Sequence, residues 1–415
     1  MLDISSSAIV DLRTTAAYVV FLASYLVFAI GKFPGIKVDR PGAAIIGAVL
    51  MVSLGIVSPE DTLRFIDFPT LVVLFSMMLI VAYLHQAGFF DWISHVIVTR
   101  LKPHHLLPAV IFTSGILSAF FVNDIVCLAM VPLVLNATRR LEVKSLPYLL
   151  AVATASNIGS VATITGNPQN ILIGSSSGIP YVNFMYHLGP VALAGLFIDW
   201  AVIHLAFARS GGVEASCGPW GSSRPPNLTQ LVKPALVVAA VLIGFLAGVT
   251  PALVAALGAA AMLVSRTRDP RSVYDEVDWG LLIFFVGLFL IVGGAEKAGI
   301  TQQLLHSADR WNLRNPAIFT VVVAALSNIV SNVPAVMLIK PFVAGFPHPD
   351  TGWLLLAMAS TLAGNLTITG SVANIIVVEQ ARKESVIGFW DYFRVGLPVT
   401  LLTLLGGIFW LWWTG

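Results

Sequence analysis

A 19-residue stretch occurs twice in this chain, and both copies place polar residues inside apolar surroundings. Residues 153–171 read ATASNIGSVATITGNPQNI and residues 357–375 read AMASTLAGNLTITGSVANI, nine of 19 positions being identical at an offset of 204. The run Thr-Ile-Thr-Gly recurs at 163–166 and 367–370. The repetition extends outward: LIV…AG at 79–88 returns at 290–299, and Leu117, Ser118, Asn123 and Pro132 return as Leu326, Ser327, Asn332 and Pro341. Paired, interrupted hydrophobic segments in two halves of a membrane protein point to the binding site of a transporter.

Composition supports the membrane. Hydrophobic residues make up 57% and charged residues 11% of the chain, against about 25% charge in a soluble domain. A net charge of +2 argues against a nucleic-acid partner. Two cysteines, Cys127 and Cys217, rule out a disulfide framework and a cysteine-rich metal site; no metal site and no cofactor are expected. The polar N-terminus, with no basic start before an apolar run, does not read as a cleaved signal peptide.

The hydropathy pattern predicts an all-α polytopic membrane protein with ten spans, each needing roughly 20 residues. They fall at 14–31, 42–58, 70–87, 149–173 and 188–208, then at 234–249, 251–266, 280–296, 353–380 and 396–414. Two apolar pairs lie between the third and fourth spans of each half: 108–121 with 124–137, broken at Asn123-Asp124, and 316–331 with 333–347, broken at Asn332-Val333-Pro334. Their arms are too short to cross alone and read as re-entrant hairpins, tolerated where protein or a water-filled cavity surrounds them. The mixed stretches 88–105 and 297–315 suit helices lying in the interface.

Five spans per half is an odd number, so the halves are expected to be inverted-topology repeats. The first repeat is 1–209 and the second 231–415, joined by a Gly/Ser/Pro-rich cytoplasmic linker over 210–230. With an external N-terminus, 17 of the 23 basic residues fall on one side and six on the other. Basic residues favour the cytoplasm, which places both termini and the loop 174–187 outside a cell inner (plasma) membrane.

Each break frees backbone groups: N–H at a helix start attracts anions and C=O at a helix end attracts cations. The two spans are broken at Thr165-Gly166-Asn167-Pro168 and Thr369-Gly370-Ser371. Substrate contacts are therefore expected from Asn123, Asn157, Thr163, Thr165, Gly166, Asn167 and Asn170 in the first half. Ser331, Asn332, Thr367, Thr369, Gly370 and Asn374 are expected from the second. The bland reading, polar residues joining helices in a bundle, fits one Ser or Thr better than two matched clusters. Asp124 reads equally as a proton carrier or cation ligand and as a cap on the second hairpin arm; its counterpart is Val333. Cys127 reads as a small hydrophobe, with weak contact to a soft metalloid as the alternative. Lys340, Asp199 and Glu379 read as residues snorkelling to the interface, and no Arg falls within a predicted span. Gly174-Ser175-Ser176-Ser177-Gly178 matches G-x-S-x-G, but no strand precedes it; a membrane-embedded serine hydrolase is the remote alternative, and the run reads as an external loop.

At these residues the chain resembles the ion transporter superfamily, which includes arsenite efflux permeases of the ArsB type, divalent anion:sodium symporters, citrate transporters and NhaD-type antiporters. FFVNDIVCLAMVPLVL at 120–135, SNIGSVATITGNPQNIL at 156–172 and LSNIVSNVPAVMLI at 326–339 carry the resemblance. Ser156-Asn157-Ile158 and Ser360-Thr361-Leu362 depart from the Ser-Asn-Thr of dicarboxylate symporters. Val122-Asn123-Asp124 with Pro132 is similar to the arsenite permeases, whereas Ser331-Asn332-Val333-Pro334-Ala335 lacks their first Asn and their Thr. The resemblance implies export of arsenite or antimonite, As(III)/Sb(III), in exchange for protons, through elevator-like movement of the hairpins and broken spans. The runner-up is a sodium-coupled anion transporter or a sodium/proton antiporter. A homodimer is common in the superfamily, and a separate ATPase subunit is a further partner the resemblance leaves open.

The orientation has a direct check. In intact cells Cys217 is expected to be shielded from an impermeant thiol reagent; rapid labelling would reverse the orientation.

Overall fold

The computed structural model describes residues 3–31, 37–100, 103–208, 228–264, 269–304 and 312–414. The linker, with Cys217, lies outside the described residues up to Leu228, as do parts of the second mixed stretch. Within the first mixed stretch Phe89–Arg100 is helical.

Among the described residues six helices are long and apolar enough to cross a bilayer: Leu12–Ile30, Phe68–Gln86, Tyr181–Phe207, Thr229–Leu246, Trp279–Lys297 and Phe389–Thr414. Leu22 and Leu26 on the first, and Leu405, Phe409 and Trp412 on the last, are exposed. Such faces suit lipid tails. The predicted spans 42–58 and 251–266 are shorter than expected, being the 14-residue helix Arg40–Ser53 and the 13-residue helix Pro251–Leu263. At 1.5 Å per residue these reach about 20 Å, less than the roughly 30 Å of hydrocarbon. The first stops because Gly55, at φ +66°, turns the chain. The second starts at Pro251 as expected but ends early at Leu263, where Val264, at φ −70°, ψ 68°, leaves the helical conformation.

Both hairpins and both broken spans form. The first hairpin pairs Leu106–Phe120 with Asn123–Arg140, and the second pairs Pro316–Val330 with Asn332–Ile339. The tips sit slightly earlier than the sequence suggested: Phe121 and Val122 carry the extended backbone of the first, and Ser331 alone that of the second. Asn123 and Asn332 therefore open the returning helices. The first broken span consists of Leu146–Ser160 and Pro168–Ser177 around a 3-10 turn at Ile164–Gly166. The second consists of Pro349–Leu362 and Val372–Ala381 around a matching turn at Ile368–Gly370. The residues leading into the two turns have nearly the same backbone, Thr163 at φ −139°, ψ 164° and Thr367 at φ −136°, ψ 160°. Gly174 to Ser177 belong to the last turn of Pro168–Ser177, and Gly178, at φ +68°, caps it. The G-x-S-x-G match is thus a helix end rather than the external loop expected.

Packing does not follow the sequence halves. Arg40–Ser53 of the first half lies along Trp279–Lys297 of the second, while Pro251–Leu263 lies along Phe68–Gln86. These helices, with Asp3–Ile30 and Leu228–Leu246, form one group. Ion pairs hold its ends: Lys297 meets Asp61, and His85 Nδ1 meets Glu276 at 2.9 Å. Hydrogen bonding from Lys297 holds the half-buried Asp61 carboxyl below its ordinary range. The hairpins, the broken spans, Tyr181–Phe207 and Phe389–Thr414 pack chiefly on one another and form the second group. Tyr25 donates to the Pro334 carbonyl at 3.1 Å, and Ser175 Oγ donates to Asp67 Oδ1 at 2.9 Å, joining the groups.

Helix contact in a bilayer gains little from water exclusion, so close approach of small residues matters. Leu106–Phe120 and Leu146–Ser160 cross so closely at Gly115 and Gly159 that a Cβ on Gly159 would strike the Gly115 carbonyl. Gly159→Val should cost about 1–3 kcal/mol through overpacking, seen as a lower unfolding midpoint in detergent. Gly406→Ala, with nothing within 4 Å of the added carbon, should leave the midpoint nearly unchanged.

Candidate functional site

The first residues of four helices meet at one cavity. It has a volume of about 320 Å³ and is lined by Asn123 and Asp124, Pro168 and Gln169, Asn332 and Val333, and Ser371 and Val372. Those pairs mark the starts of the two returning hairpin arms and of the second segments of the two broken spans. A helix start carries roughly half a positive charge, so four of them make a field that favours oxygen atoms. On the opposite wall stand Asp39, Arg40 and Pro41 from one short helix, and Asp278, Gly280, Leu281 and Phe284 from Trp279–Lys297.

The charges on this wall are largely committed. Asp39 Oδ1 accepts from Gly42 N at 2.9 Å and Asp278 Oδ1 from Leu281 N at 2.9 Å, each capping its own helix. Arg40 Nε donates to the Phe28 carbonyl at 3.0 Å. Arg40 corrects the expectation that no arginine serves the site. It precedes the apolar run in sequence, yet its short helix draws it to the cavity. Asp124 is half-buried and does not cap its own arm: Val122 is the cap residue, with no side-chain hydrogen bond. Its carboxylate instead lies beside the backbone of Ala373, in the first turn of Val372–Ala381. An acid in the first half thus stands at a helix start in the second.

Of the residues expected to contact substrate, Asn123, Ser331 and Asn332 line the cavity, as does Asp124. The Asn123 Oδ1 atom is buried without a hydrogen-bond partner. Ser331 holds φ +77°, ψ 160°, a conformation that costs a non-glycine residue of order 1–3 kcal/mol and concentrates at functional sites. Asn332, with its amide nitrogen toward the Ser360 and Gly370 carbonyls at 3.1 and 3.2 Å, accepts from Gln169 Nε2 at 3.2 Å. Gln169 also donates to Thr361 Oγ1 at 3.2 Å. Gln169, like Arg40, was missed by sequence reasoning. Its position directly after Pro168, at a helix start, was the available signal.

The remaining residues hold the breaks together. Asn170 Nδ2 donates to the Ser160 and Thr163 carbonyls, both at 3.0 Å. Asn374 Nδ2 donates to the equivalent Gly364 and Thr367 carbonyls at 2.7 and 3.0 Å. Asn167 Oδ1 caps the Asn170 N–H at 2.8 Å while its Nδ2 reaches Ser160 Oγ at 2.9 Å and Thr361 Oγ1 at 3.1 Å. Gly166 and Gly370 allow each turn to close against the carbonyls of Ser160 and Gly364, where a Cβ would collide. Thr163 Oγ1 donates to the Ala119 carbonyl, and Thr367 Oγ1 to Asn328 Oδ1 at 3.1 Å. Thr165 is buried against Tyr181 Oη at 3.0 Å, whereas its counterpart Thr369 is exposed. Cys127 is buried off the cavity, with Sγ 3.1 Å from Ser156 Oγ.

Asn157 joins the halves. Its Oδ1 accepts from Asn123 Nδ2 at 2.9 Å and Ser371 Oγ at 3.0 Å, and its Nδ2 donates to Asn365 Oδ1 and Asn374 Oδ1, both at 2.9 Å. Asn157→Ala should destabilise the fold by about 1–3 kcal/mol for each buried partner left unpaired. Thermal unfolding in detergent checks this; a change in transport with no change in midpoint would mark Asn157 as a substrate contact instead.

With this geometry in place, the chain can be set beside known proteins. Residues 25–363 match the citrate transporter family, CitMHS. The silicon efflux transporter LSI3 of Oryza sativa subsp. japonica is 29% identical, over 94% of this chain and 96% of that protein. The "Putative transporter arsB" of Dictyostelium discoideum is 25% identical, over 90% and 87%. The crystal structure of the Alcanivorax borkumensis YdaH transporter superposes with a TM-score of 0.57, at 14% identity and covering 97% of each chain, a likeness of fold. The chain is a multi-pass secondary membrane transporter, not an enzyme, and it belongs to the CitMHS citrate transporter family within the ion transporter superfamily.

Proposed function

We propose that this transporter exports small uncharged metalloid hydroxides, arsenite and antimonite foremost, in exchange for protons, from the cavity between the four helix starts. The observation that carries the reading is the pairing of Asn123 Oδ1, buried without a partner, with the Asp124 carboxylate beside it on the same wall. Arsenite at neutral pH is mostly As(OH)₃, a hydroxyl donor that both oxygens can accept from. Its own oxygens suit the N–H groups of the helix starts. The acids Asp39, Asp124 and Asp278 against the single Arg40 disfavour a multiply charged carboxylate. The silicon efflux and arsB relatives support the same class of solute.

Proton exchange follows from Asp124. Ionised, it accepts from a solute hydroxyl; protonated, it offers one fewer acceptor. Solute and proton therefore compete, binding weakens as pH falls, and a proton entering from outside releases the solute. The inverted repeat supplies the movement: the hairpins and broken spans shift as a unit against the paired helices of the other group, with both termini outside.

A second reading has Arg40 as the anchor of a citrate carboxylate, in keeping with the family description. Uptake into everted vesicles separates the two, using arsenite, silicate, citrate and succinate with and without a proton gradient. Arsenite should accumulate with the gradient, survive Arg40→Gln, and in Asp124→Asn bind but equilibrate without concentrating. Citrate uptake that Arg40→Gln abolishes, with no arsenite uptake, would establish the second reading. Undiminished proton-driven accumulation by Asp124→Asn would remove Asp124 from coupling.

A further inference from the structure

Asp199 lies within Tyr181–Phe207 and was read from sequence as a residue reaching the interface. It is instead wholly buried, and neither carboxylate oxygen has a hydrogen-bond partner. The Thr154 hydroxyl stands beside it but donates to the Leu150 carbonyl at 2.9 Å. Tyr392, at the start of Phe389–Thr414, also faces it; this ring is buried and its hydroxyl likewise lacks a bond. Tyr392 lies near both Asp199 and the Asn374 side chain. Asn374 in turn accepts from Asn157, which accepts from Asn123 at the cavity.

An ionised carboxylate enclosed in this way, with no cation and no donor, is strongly disfavoured. Among the described residues no cation pairs with it. Tyr181–Phe207 packs against Leu106–Phe120, Leu146–Ser160, Leu228–Leu246, Pro349–Leu362, Phe389–Thr414 and the turn Ile164–Gly166. Apart from Tyr392, the ionisable residues of those elements, Tyr148, Lys233, Asp350, Asp391 and Arg394, fall within the first two turns of their helices. Cys127 and Asp124 stand beyond Tyr392.

We infer that Asp199 is a second proton site, separate from the cavity, whose occupancy sets the conformation of the second break through Tyr392. With the proton on Asp199, the Tyr392 hydroxyl is free to pair with Asn374 and hold that side chain against the Gly364 and Thr367 carbonyls. When the proton leaves, the carboxylate claims the Tyr392 hydroxyl and Asn374 loses that partner. The break between Leu362 and Val372 then loosens. No covalent step is involved, and the inference does not depend on which solute is carried.

The test uses full-length transporter in lipid vesicles with Cys217→Ser and a reporter, Thr369→Cys, at the exposed position of the second break. Labelling by an impermeant maleimide is normalised at each pH to the detergent-unfolded protein. Between about pH 6 and about pH 9 the normalised rate should rise by about threefold or more, the response of one titrating group. Asp199→Asn and Tyr392→Phe should each flatten that rise, Asp199→Asn at the low-pH rate. Infrared spectra should show a protonated carboxyl band near neutral pH that Asp199→Asn removes. A rate with no pH dependence, a dependence that survives Asp199→Asn, one that follows sodium rather than pH, or an infrared band unaltered by that substitution would each overturn the inference. Tyr392→Phe, which leaves the buried acid in place, provides the same test should Asp199→Asn fail to fold.

Discussion

Everything in this structure depends on satisfying backbone groups where helices stop inside a low-dielectric interior. A break in a span leaves carbonyls on one side and N–H groups on the other, and no water from the lipid can reach them. The protein answers with asparagine, whose amide both donates and accepts. Asn170 and Asn374 each bridge two carbonyls of their own break, so the turns are held without charge. What remains is a set of helix starts pointing into a common space. The same requirement thus preserves the fold and creates the field at the cavity.

The two breaks share a geometry but not an environment. Thr165 is closed over by Tyr181, whose ring stacks on Phe245 at 5.0 Å between centroids. Thr369, in the same position of the second turn, is exposed. Asp124 has Val333 as its counterpart, and Asp124 lies beside Ala373 of the second break. Two copies of one motif are therefore held in different environments by the helices around them.

How much of this was legible in the sequence depends on the residue. The hairpins and interrupted spans were, because Asn, Gly and Thr repeated within apolar runs are costly in lipid unless the chain breaks there around a polar interior. The tips shifted by one or two residues, since extended backbone at Phe121 and Val122 leaves no polar signature. Asn123 and Asn332 were placed at the centre by the repeat alone. Arg40 and Gln169 were not found: one sits before its span, the other in an otherwise ordinary first turn. Asp199 was misjudged because distance along a span does not tell a lipid-facing position from an enclosed one. Composition also overstated the spans 42–58 and 251–266, whose helices end early at Gly55 and Val264.

By itself the sequence determined the membrane class, the duplicated 19-residue stretch and the four interruptions, because hydropathy and turn chemistry are local properties. Only the tertiary structure decided which interruptions meet, that helices pair across the halves, and that Asp124 stands at a helix start some 250 residues away. It alone also decided that Asp199 is sealed without a partner. Those outcomes rest on contacts between distant segments, and burial and hydrogen-bond partnership exist only once the segments have packed.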